Sequence, residues 1–423
     1  MNPGIAASWL RVPPGRRLPG GPDNALPAAF PARRNFFWNP MPHDSGLRFL
    51  IDRGDLRKTR LATDMQGSPE AVALQEGQAR LAVRRFALTA NNVTYAAVGD
   101  AMNYWQFFPS DDARWGCLPV WGFAEVVESR AAGVAVGRRV YGFLPAGTHL
   151  VVSPERVGER GFVDGTPHRA ELAAAYNQLV FCDADPAWRL ELEAHQALLR
   201  PLFTTSFLID DFLAAADFFG APQLLLSSAS SKTAWGTAFC LDLRRRDAGL
   251  PVSKRHRIVG LTSAANVEYV KALGVYDEVC NYDAVRSLDA SAPAVYVDFC
   301  GDATLRCAVH EHWGERLAYS CAVGSTHWEG RGSSSGLPGP RPTLFFAPTQ
   351  YRVRMAPPPQ GWGPAGLQQR LSDAWSALLA RVAEPSATWL EVQEQRGPGA
   401  IEAGYRALLE GRADPRLGLM ISW

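Results

Sequence analysis

The sequence predicts an α/β protein of two parts, a first part built of strands and a second part with a doubly wound parallel sheet. Three observations predict this fold class. The 423 residues exceed the length that one ordinary hydrophobic core organises. Short strand patterns separated by glycines occupy residues 47–154. From residue 224 onward strand and helix patterns alternate, which is typical of parallel βαβ units.

Composition excludes several classes of protein. Hydrophobic residues make up 47% of the chain and charged residues 20%, as in soluble globular proteins. A net charge of +1 provides no field for nucleic acid or anionic lipid, and no apolar run reaches the ~18–20 residues of a membrane span. The seven cysteines form no C-x-x-C pair, which argues against a zinc lobe and a disulfide framework. We therefore expect no nucleic-acid or membrane partner, no metal and, without a signal peptide, a cytoplasmic location.

The first part begins with an arm and continues as strands. Residues 1–43 are rich in proline, glycine, alanine and arginine without periodicity, which predicts a loosely held segment. Apolar and polar residues alternate over residues 79–90, as in a half-buried strand. Further strands are predicted at residues 120–128 and 139–143, and helices at residues 171–181 and 189–199.

The second part alternates strands with helices. Strands are predicted at residues 224–226, 257–261, 278–281, 294–299 and 316–321, and helices at residues 233–245, 266–273 and 303–312. Helices at residues 367–384 and 399–410 and a closing strand at residues 417–421 follow. The successive parallel units predict a doubly wound sheet.

A turn of small residues joins the first of these strands to its helix. It consists of Ser227, Ser228, Ala229, Ser230 and Ser231. A strand, a tight turn and a helix start bring free backbone N–H groups and a helix dipole to one point, as a phosphate site requires. The usual glycines are missing. Three interpretations stay open: a dinucleotide turn, a P-loop in which Ser-Lys-Thr at 231–233 imitates Gly-Lys-Thr, and a purely structural turn.

The next strand bears on which nucleotide binds. Residues 258–263 end without the acidic residue that grips an adenosine ribose in NAD sites. Thr262, Ser263 and Asn266 are instead candidates to bind a 2′-phosphate, with help from Lys271 or Lys232. Lys271 is equally well explained as a solvated helix residue. Lys232 has three interpretations: it offsets pyrophosphate charge, reaches the 2′-phosphate, or points into solvent.

Several motifs occur in the order in which a known superfamily has them. They are residues 90–95 (ANNVTY, like a family strand), 137–142 (GRRVYG), 270–283 (VKALGVYDEVCNYD), 297–301 (VDFCG), 314–324 (GERLAYSCAVG) and 389–421. The ordered set resembles the medium-chain dehydrogenase/reductase superfamily, on its quinone and enoyl reductase side, in a divergent and poorly characterised branch. The resemblance covers residues 47–421.

The resemblance implies a domain organisation and a cofactor. It implies a GroES-like β-barrel domain over residues 44–200, a Rossmann domain over residues 201–350 and a segment over residues 351–423 that returns to the first domain. NADPH and substrate are expected in the cleft between the domains. With the turn analysis, it assigns cofactor binding to Ser228, Ser230, Ser231, Lys232, Thr233, Thr262, Ser263, Tyr282, Cys300 and Gly324.

Two departures from the superfamily bear on the chemistry. The phosphate turn lacks glycines, with Ala234 in place of the third. Residues 120–123 read Val-Trp-Gly-Phe where zinc-bearing members have Gly-His-Glu, which implies a zinc-free site. Zinc-free members transfer a hydride to an activated alkene or carbonyl and protonate the neighbouring carbon.

A tyrosine is the expected proton donor, because a phenol stays protonated at neutral pH. Tyr104 lies where enoyl reductases have this tyrosine, with Tyr95 as the alternative, and Asn92 matches the asparagine of the same catalytic segment. Tyr104 is equally well explained as a packed residue at the rim. The aromatic group of Tyr104, Trp105, Phe107 and Phe108 is predicted to form a pocket wall for a small apolar or aromatic substrate.

The sequence thus predicts an NADPH-dependent, zinc-independent reductase of an α,β-unsaturated carbonyl or quinone-like compound. The alternative is a non-redox enzyme or binding protein on the same fold, which the missing glycines motivate. A homodimer is expected through the apolar run at residues 343–347, whose edge would pair across a two-fold axis. An interior strand or a cleft-lining loop is the other interpretation of this run.

Overall fold

The computed structural model describes residues 46–63, 68, 72–246, 256–323, 336–384 and 389–423. The predicted arm over residues 1–43 lies outside these ranges. The described residues form one compact unit that contains two large sheets and one small sheet. The predicted domain boundaries at residues 200 and 350 stay predictions.

Strands and helices follow one another along the whole described chain. Its strands are β1 (Leu47–Asp52), β2 (Asp55–Thr63), β3 (Ala79–Leu88), β4 (Trp115–Cys117), β5 (Pro119–Ser129), β6 (Arg139–Pro145), β7 (His149–Val152), β8 (Pro154–Gly158), β9 (Gly161–Asp164), β10 (Gln178–Phe181), β11 (Gln223–Leu226), β12 (Arg257–Thr262), β13 (Glu278–Asn281), β14 (Ala294–Asp298), β15 (Leu317–Ala322), β16 (Thr343–Leu344), β17 (Glu391–Arg396) and β18 (Leu417–Ser422). Its α-helices are α1 (Ala90–Ala97), α2 (Glu193–Ala215), α3 (Lys232–Arg245), α4 (Val267–Ala272), α5 (Ala303–Trp313), α6 (Ala347–Met355), α7 (Gly363–Val382) and α8 (Pro398–Leu409).

The first large sheet is mixed and joins both ends of the described chain. Its order is β17-β18-β3-β5-β6-β10-β9-β8, with β7 paired to β3, while β1, β2 and β4 form the small antiparallel sheet. In the centre, Phe86 of β3 lies opposite Gly122 of β5 and Ile421 of β18. A side chain at 122 would not fit, since its Cβ would lie 2.3 Å from the Arg85 carbonyl oxygen. The end of the chain therefore completes a sheet that begins at residue 79.

The second large sheet is parallel and has the order β13-β12-β11-β14-β15-β16. Its central strand pairs Leu224 with Ile258 on one side and with Val295 on the other. Leu224, Leu225 and Leu226 are fully buried, as expected for a strand covered on both faces. This is the doubly wound order of dinucleotide-binding folds, and it confirms the predicted parallel sheet. The strand order reverses between β11 and β14, where such folds bind their ligands.

Three predictions of local structure are wrong. Residues 171–181 are not helical, because the chain makes a short 3₁₀ turn at Ala174–Tyr176 and continues as β10. Residues 90–95 form α1 rather than a strand, and the Thr89 N–H donates to Asn92 Oδ1 at 2.7 Å where this helix begins. The run at residues 343–347 is a strand only over β16, after which α6 begins.

Helix α2 connects the two large sheets. The Glu193 carboxylate at its start is fully buried and accepts from Arg139 Nε at 2.6 Å and Nη2 at 2.7 Å. It also accepts from the Trp188 indole at 3.1 Å. Further along α2, Ser206 Oγ donates to the Thr233 carbonyl at the start of α3 at 2.8 Å. The helix is therefore bonded to the mixed sheet at one end and to the parallel sheet's first helix at the other.

We expect the free energy of unfolding to fall more when Arg139 is removed from the Glu193–Arg139 pair than when Glu193 is neutralised. Arg139→Met leaves a buried carboxylate without its main partner, so we expect a loss of about 3–5 kcal/mol in the free energy of unfolding. Glu193→Gln keeps the shape and leaves a guanidinium that is 26% exposed, so we expect about 1–3 kcal/mol. Urea unfolding measures both.

Arg406→Met is the matched control, because Arg406 belongs to an exposed helical pair with Glu402. Its removal is expected to cost about 0.5 kcal/mol or less. Equal losses for Arg139→Met and Glu193→Gln would contradict the role given to the buried carboxylate.

Candidate functional site

The serine-rich turn between β11 and α3 has the backbone geometry of a glycine turn. Ser228 adopts a φ of +49°, the left-handed conformation for which glycine is normally required. The Ala229 N–H donates to the Leu261 carbonyl at 2.9 Å, and the Ser231 N–H to the Ser228 carbonyl at 2.7 Å. Ser231 is the N-cap of α3, and its Oγ accepts from the Ala234 N–H at 3.3 Å. The missing glycines therefore do not remove the turn that a phosphate needs.

A buried polar group holds this turn against the neighbouring strand. Ser227 Oγ donates to Asp298 Oδ1 at 3.0 Å and accepts from the N–H groups of Phe299 and Cys300 at 2.9 and 3.1 Å. Asp298 in turn accepts from Arg306 Nε at 2.9 Å. The sequence analysis missed this arrangement, and the aspartate in the motif at residues 297–301 was the available signal. It fixes the carboxyl ends of β11 and β14 where the strand order reverses.

The carboxyl end of β12 places polar side chains beside the turn. Asn266 Nδ2 donates to Ser230 Oγ at 3.3 Å and to Ser263 Oγ at 3.1 Å, so these two predicted residues meet. Each serine oxygen accepts from Asn266 and keeps its own O–H as a donor. Thr262 Oγ1 is fully buried and has no hydrogen-bond partner among the described residues. Ser230 and Ser263 thus provide hydroxyl groups at one place, whereas Thr262 is enclosed within β12.

The other predicted cofactor residues are distributed around the turn. The Tyr282 hydroxyl lies next to Ser228 and the Cys300 thiol, and burial, followed by the neighbouring thiol, raises the pKa of Tyr282. Burial likewise raises the pKa of Cys300 to about 11, which keeps the thiol protonated at neutral pH. Thr233 presents its carbonyl to Ser206 and Thr237. Gly324 lies outside the described residues.

Lys232 is bonded to the other end of the chain. Its Nζ donates to the carbonyl oxygens of Pro415 at 3.1 Å and Leu417 at 3.0 Å, where β18 begins. Burial lowers the pKa of Lys232 to about 8, and Asp414 partly opposes that shift. This placement differs from all three interpretations that the sequence left open. Lys271 pairs with Glu268 at 2.9 Å on an exposed surface.

The predicted catalytic tyrosines lie in an aromatic cluster of the first part. Tyr95 and Tyr104 are 4% and 9% exposed, and their ring centroids are 4.6 Å apart. The Tyr104 hydroxyl bonds the Tyr176 hydroxyl at 3.1 Å, and Tyr95 accepts from the Trp121 indole at 3.1 Å. Burial raises the pKa of both Tyr95 and Tyr104, so both phenols are protonated at neutral pH. Tyr176 is a further candidate that sequence reasoning missed.

Three other predicted residues of this region are well packed. Asn92 is 3% exposed, and its Nδ2 donates to the Pro119 carbonyl at 2.8 Å while its Oδ1 caps α1. Phe107 and Phe108 are buried beside Phe143, at centroid distances of 5.2 and 5.8 Å. Trp121 packs against the core of the mixed sheet and against the core that continues into the parallel sheet. The aromatic cluster therefore extends from within the first part towards its junction with the second.

The described residues contain neither a candidate metal centre nor a candidate membrane span. Within the described ranges, no three His, Cys, Asp or Glu side chains are grouped so that they could hold a metal ion. None of the helices there is long and apolar enough to cross a membrane.

Comparison with known proteins identifies the family. Residues 86–414 match the family described as "Protein of unknown function (DUF2855)". The chain belongs to this family. Comparison of the sequence with curated proteins finds no match.

Solved structures are similar to the fold at low sequence identity. The apo form of JamJ enoyl reductase is 12% identical with a TM-score of 0.52, over 89% of this chain and 99% of that one. CurA from Vibrio vulnificus is 11% identical with a TM-score of 0.51, over 89% and 98%. Its complex with NADPH has a TM-score of 0.50 at 11% identity, over 88% and 96%. These likenesses confirm the predicted fold, a GroES-like β-barrel domain plus a Rossmann domain.

Lys232 predicts a specific dependence of stability on pH. Its folded pKa of about 8 lies below the ordinary value of 10.5, so the unfolded chain binds more protons between these values. This group therefore raises the free energy of unfolding as the pH rises from about 8 to about 10.5, and loses that contribution as the pH falls through about 8.

Lys232→Met is expected to abolish this contribution, since methionine does not titrate. Urea unfolding of the native chain and of Lys232→Met between pH about 8 and about 10.5 gives the difference in their free energies of unfolding. The titration of all other groups cancels in this difference. A difference that does not change with pH would show that Lys232 keeps its ordinary pKa.

Proposed function

We propose that this chain is a zinc-independent, NADPH-dependent reductase of a small α,β-unsaturated carbonyl or quinone-like compound. The observation that carries the proposal is the turn at residues 227–231. It keeps a glycine-like backbone at Ser228, a capped helix start at Ser231 and a position where the strand order of the parallel sheet reverses. Helix N–H groups at such a point favour a pyrophosphate.

The hydroxyl groups at the end of β12 support NADPH over NADH. Ser230 and Ser263, which Asn266 bonds together, have O–H donors for a 2′-phosphate. A site for NADH would have a carboxylate here to bind the ribose. CurA of Vibrio vulnificus, which shares the fold, was solved with NADPH bound. The residues present therefore fit this cofactor, which would supply the hydride.

Protonation of the substrate falls to the aromatic cluster. Tyr104 is the proposed donor, and its hydroxyl bond to Tyr176 orients the phenol. Because burial raises its pKa, Tyr104 keeps its proton until a developing carbanion or enolate takes it. The apolar walls formed by Trp121 and Phe143 suit an apolar or aromatic substrate.

A second candidate function is ligand binding without hydride transfer. The specific observation behind it is that the hydroxyls of Tyr95 and Tyr104 are both bonded within the cluster and almost fully buried. On this alternative the turn binds a phosphate-bearing ligand and the tyrosines are core residues.

We also propose a cytoplasmic homodimer that pairs through β16. This strand is the last in the sheet order, and Leu344 and Phe346 are 70% and 39% exposed there. An exposed edge with apolar side chains favours pairing with a second copy. Light scattering of the native chain tests the assembly, and a monomer at micromolar concentration would exclude it.

Cofactor selectivity follows from the end of β12. Ser263→Asp introduces a carboxylate that repels a 2′-phosphate and accepts from ribose hydroxyls. We expect it to weaken NADPH binding by about 1–3 kcal/mol and to leave NADH binding equal or stronger. Isothermal titration calorimetry measures both ligands.

Ser263→Ala is the control, because it removes the hydroxyl without adding charge and is expected to weaken NADPH less. If the native chain binds neither dinucleotide, the reductase proposal falls. If Ser263→Asp leaves the preference unchanged, the 2′-phosphate binds elsewhere.

Catalysis depends on one tyrosine hydroxyl. Tyr104→Phe is expected to lower kcat by about 10²–10⁴-fold with NADPH binding unchanged, since only the proton donor is lost. Tyr176→Phe keeps the Tyr104 hydroxyl and removes its partner, so a loss of about tenfold or less is expected. NADPH oxidation with a panel of enones and quinones measures the rates. A loss of kcat in Tyr95→Phe but not in Tyr104→Phe would identify Tyr95 as the proton donor. A native chain that binds NADPH without oxidising it would favour ligand binding without hydride transfer.

A further inference from the structure

A cavity of about 230 Å³ lies in the first part, apart from the serine turn and the tyrosine hydroxyls. Residues from distant parts of the chain line it, including Arg48 of β1, Phe108, Leu150 of β7 and Asp164 at the end of β9. Nothing in the proposed reductase activity uses it. Its volume is below the roughly 300–1,000 Å³ of sites for drug-sized ligands, so it suits a small molecule.

The side chain of Arg169 at this cavity is buried and incompletely bonded. It is 1% exposed, and its Nε donates to the Phe107 carbonyl at 3.2 Å. Nη1 lies 3.0 Å from Asp164 Oδ2, but neither Nη1 nor Nη2 has a hydrogen-bond partner among the described residues. The guanidinium carbon lies 4.7 Å from the centroid of the Phe108 ring, which holds the planar group against the cavity wall. A buried guanidinium with an unused N–H pair is costly unless a ligand binds it.

The neighbouring charges do not supply that ligand. Asp164 Oδ1 accepts from the N–H groups of Ser153 and Thr166 at 3.1 Å each and from the Thr166 hydroxyl at 2.5 Å. Its other oxygen, Oδ2, lies 3.0 Å from Arg169 Nη1 without forming a hydrogen bond, so Asp164 offsets part of the guanidinium charge but leaves its N–H groups unsatisfied. The lining contains a second guanidinium, Arg48, which donates to the Pro109 carbonyl at 3.0 Å. Burial lowers the pKa of Arg169, with Asp164 opposing, so the site favours additional negative charge.

We propose that this cavity is a binding site for a small organic carboxylate with an apolar body. Arg169 Nη2 would donate to the carboxylate, which guanidinium groups bind with good geometry. Phe108, Leu150 and Val72 would contact the apolar body. The lining includes neither the serine turn nor Tyr95 and Tyr104, although it shares Phe107 and Phe108 with the aromatic cluster, so we expect binding with or without NADPH.

Benzoate is the probe, with benzamide as its neutral counterpart and inorganic phosphate as an anion without an apolar body. Calorimetry and thermal unfolding of the full chain are run at matched ionic strength, with and without NADPH. We expect saturable benzoate binding that raises Tm, and no comparable effect of benzamide, phosphate or chloride. Absence of saturable benzoate binding, or equal binding of benzamide, would overturn the proposal. Phosphate binding without benzoate binding would overturn it as well.

Two variants locate the site. Arg169→Lys keeps a cation for Asp164 and removes Nη2, and we expect benzoate affinity to fall at least about tenfold. Ala73→Trp changes an exposed residue of the lining and is expected to fill the entrance with the same loss, without disturbing the buried pair. Arg160→Met, an exposed arginine outside the lining, should bind benzoate normally. Unchanged affinity in Ala73→Trp would place benzoate elsewhere and overturn the assignment, even if Arg169→Lys does not fold.

Discussion

The buried carboxylate of Glu193 is the interaction on which the arrangement of the two sheets depends. A charge with no solvent access is tolerable only with complete hydrogen bonding, and Arg139 and Trp188 provide it from fixed positions. These bonds set where α2 begins. The position of α2 in turn determines the position of α3, because Ser206 of α2 bonds the Thr233 carbonyl of α3. The two helices are so close that a side chain at Gly236 would collide with Ser206. The mixed sheet thus determines where the serine turn lies.

The serine turn shows how the backbone geometry of a glycine turn is kept without glycine. Glycine serves such turns by permitting left-handed backbone and close approach. Here the left-handed residue is Ser228, and neighbouring contacts hold it: Tyr282 lies next to it, and Tyr276 donates to the Ala229 carbonyl at 3.0 Å. Strain of this kind is retained where the surroundings over-determine the conformation. Serine also adds hydroxyl groups that glycine lacks.

Much of this fold was predictable, because local patterns encode it. The leucines at 224–226 predicted a buried strand, and the turn with the family resemblance assigned Ser230 and Ser263 to one cofactor site, where Asn266 bonds both. The contacts that were missed join residues far apart in the sequence. Tyr176 bonds Tyr104 across 72 positions, and Lys232 bonds Leu417 across 185. Neither leaves a local pattern. The helix at residues 171–181 failed because burial of Leu179 in a strand outweighs helical propensity.

The position of β18 has a consequence for how the chain folds during synthesis. Within the described ranges, the strands of the parallel sheet all lie between residues 223 and 344, so its last strand is complete while 79 of the 423 residues remain to be made. The mixed sheet begins at residue 79 and is still incomplete at that point, because β17 and β18 have not yet been synthesised. Of these two strands, β18 is the one that pairs with β3. Domains generally form from the N-terminus during translation. Here the earlier sheet closes last, and β3 has an unpaired edge until β18 has been synthesised and can pair with it.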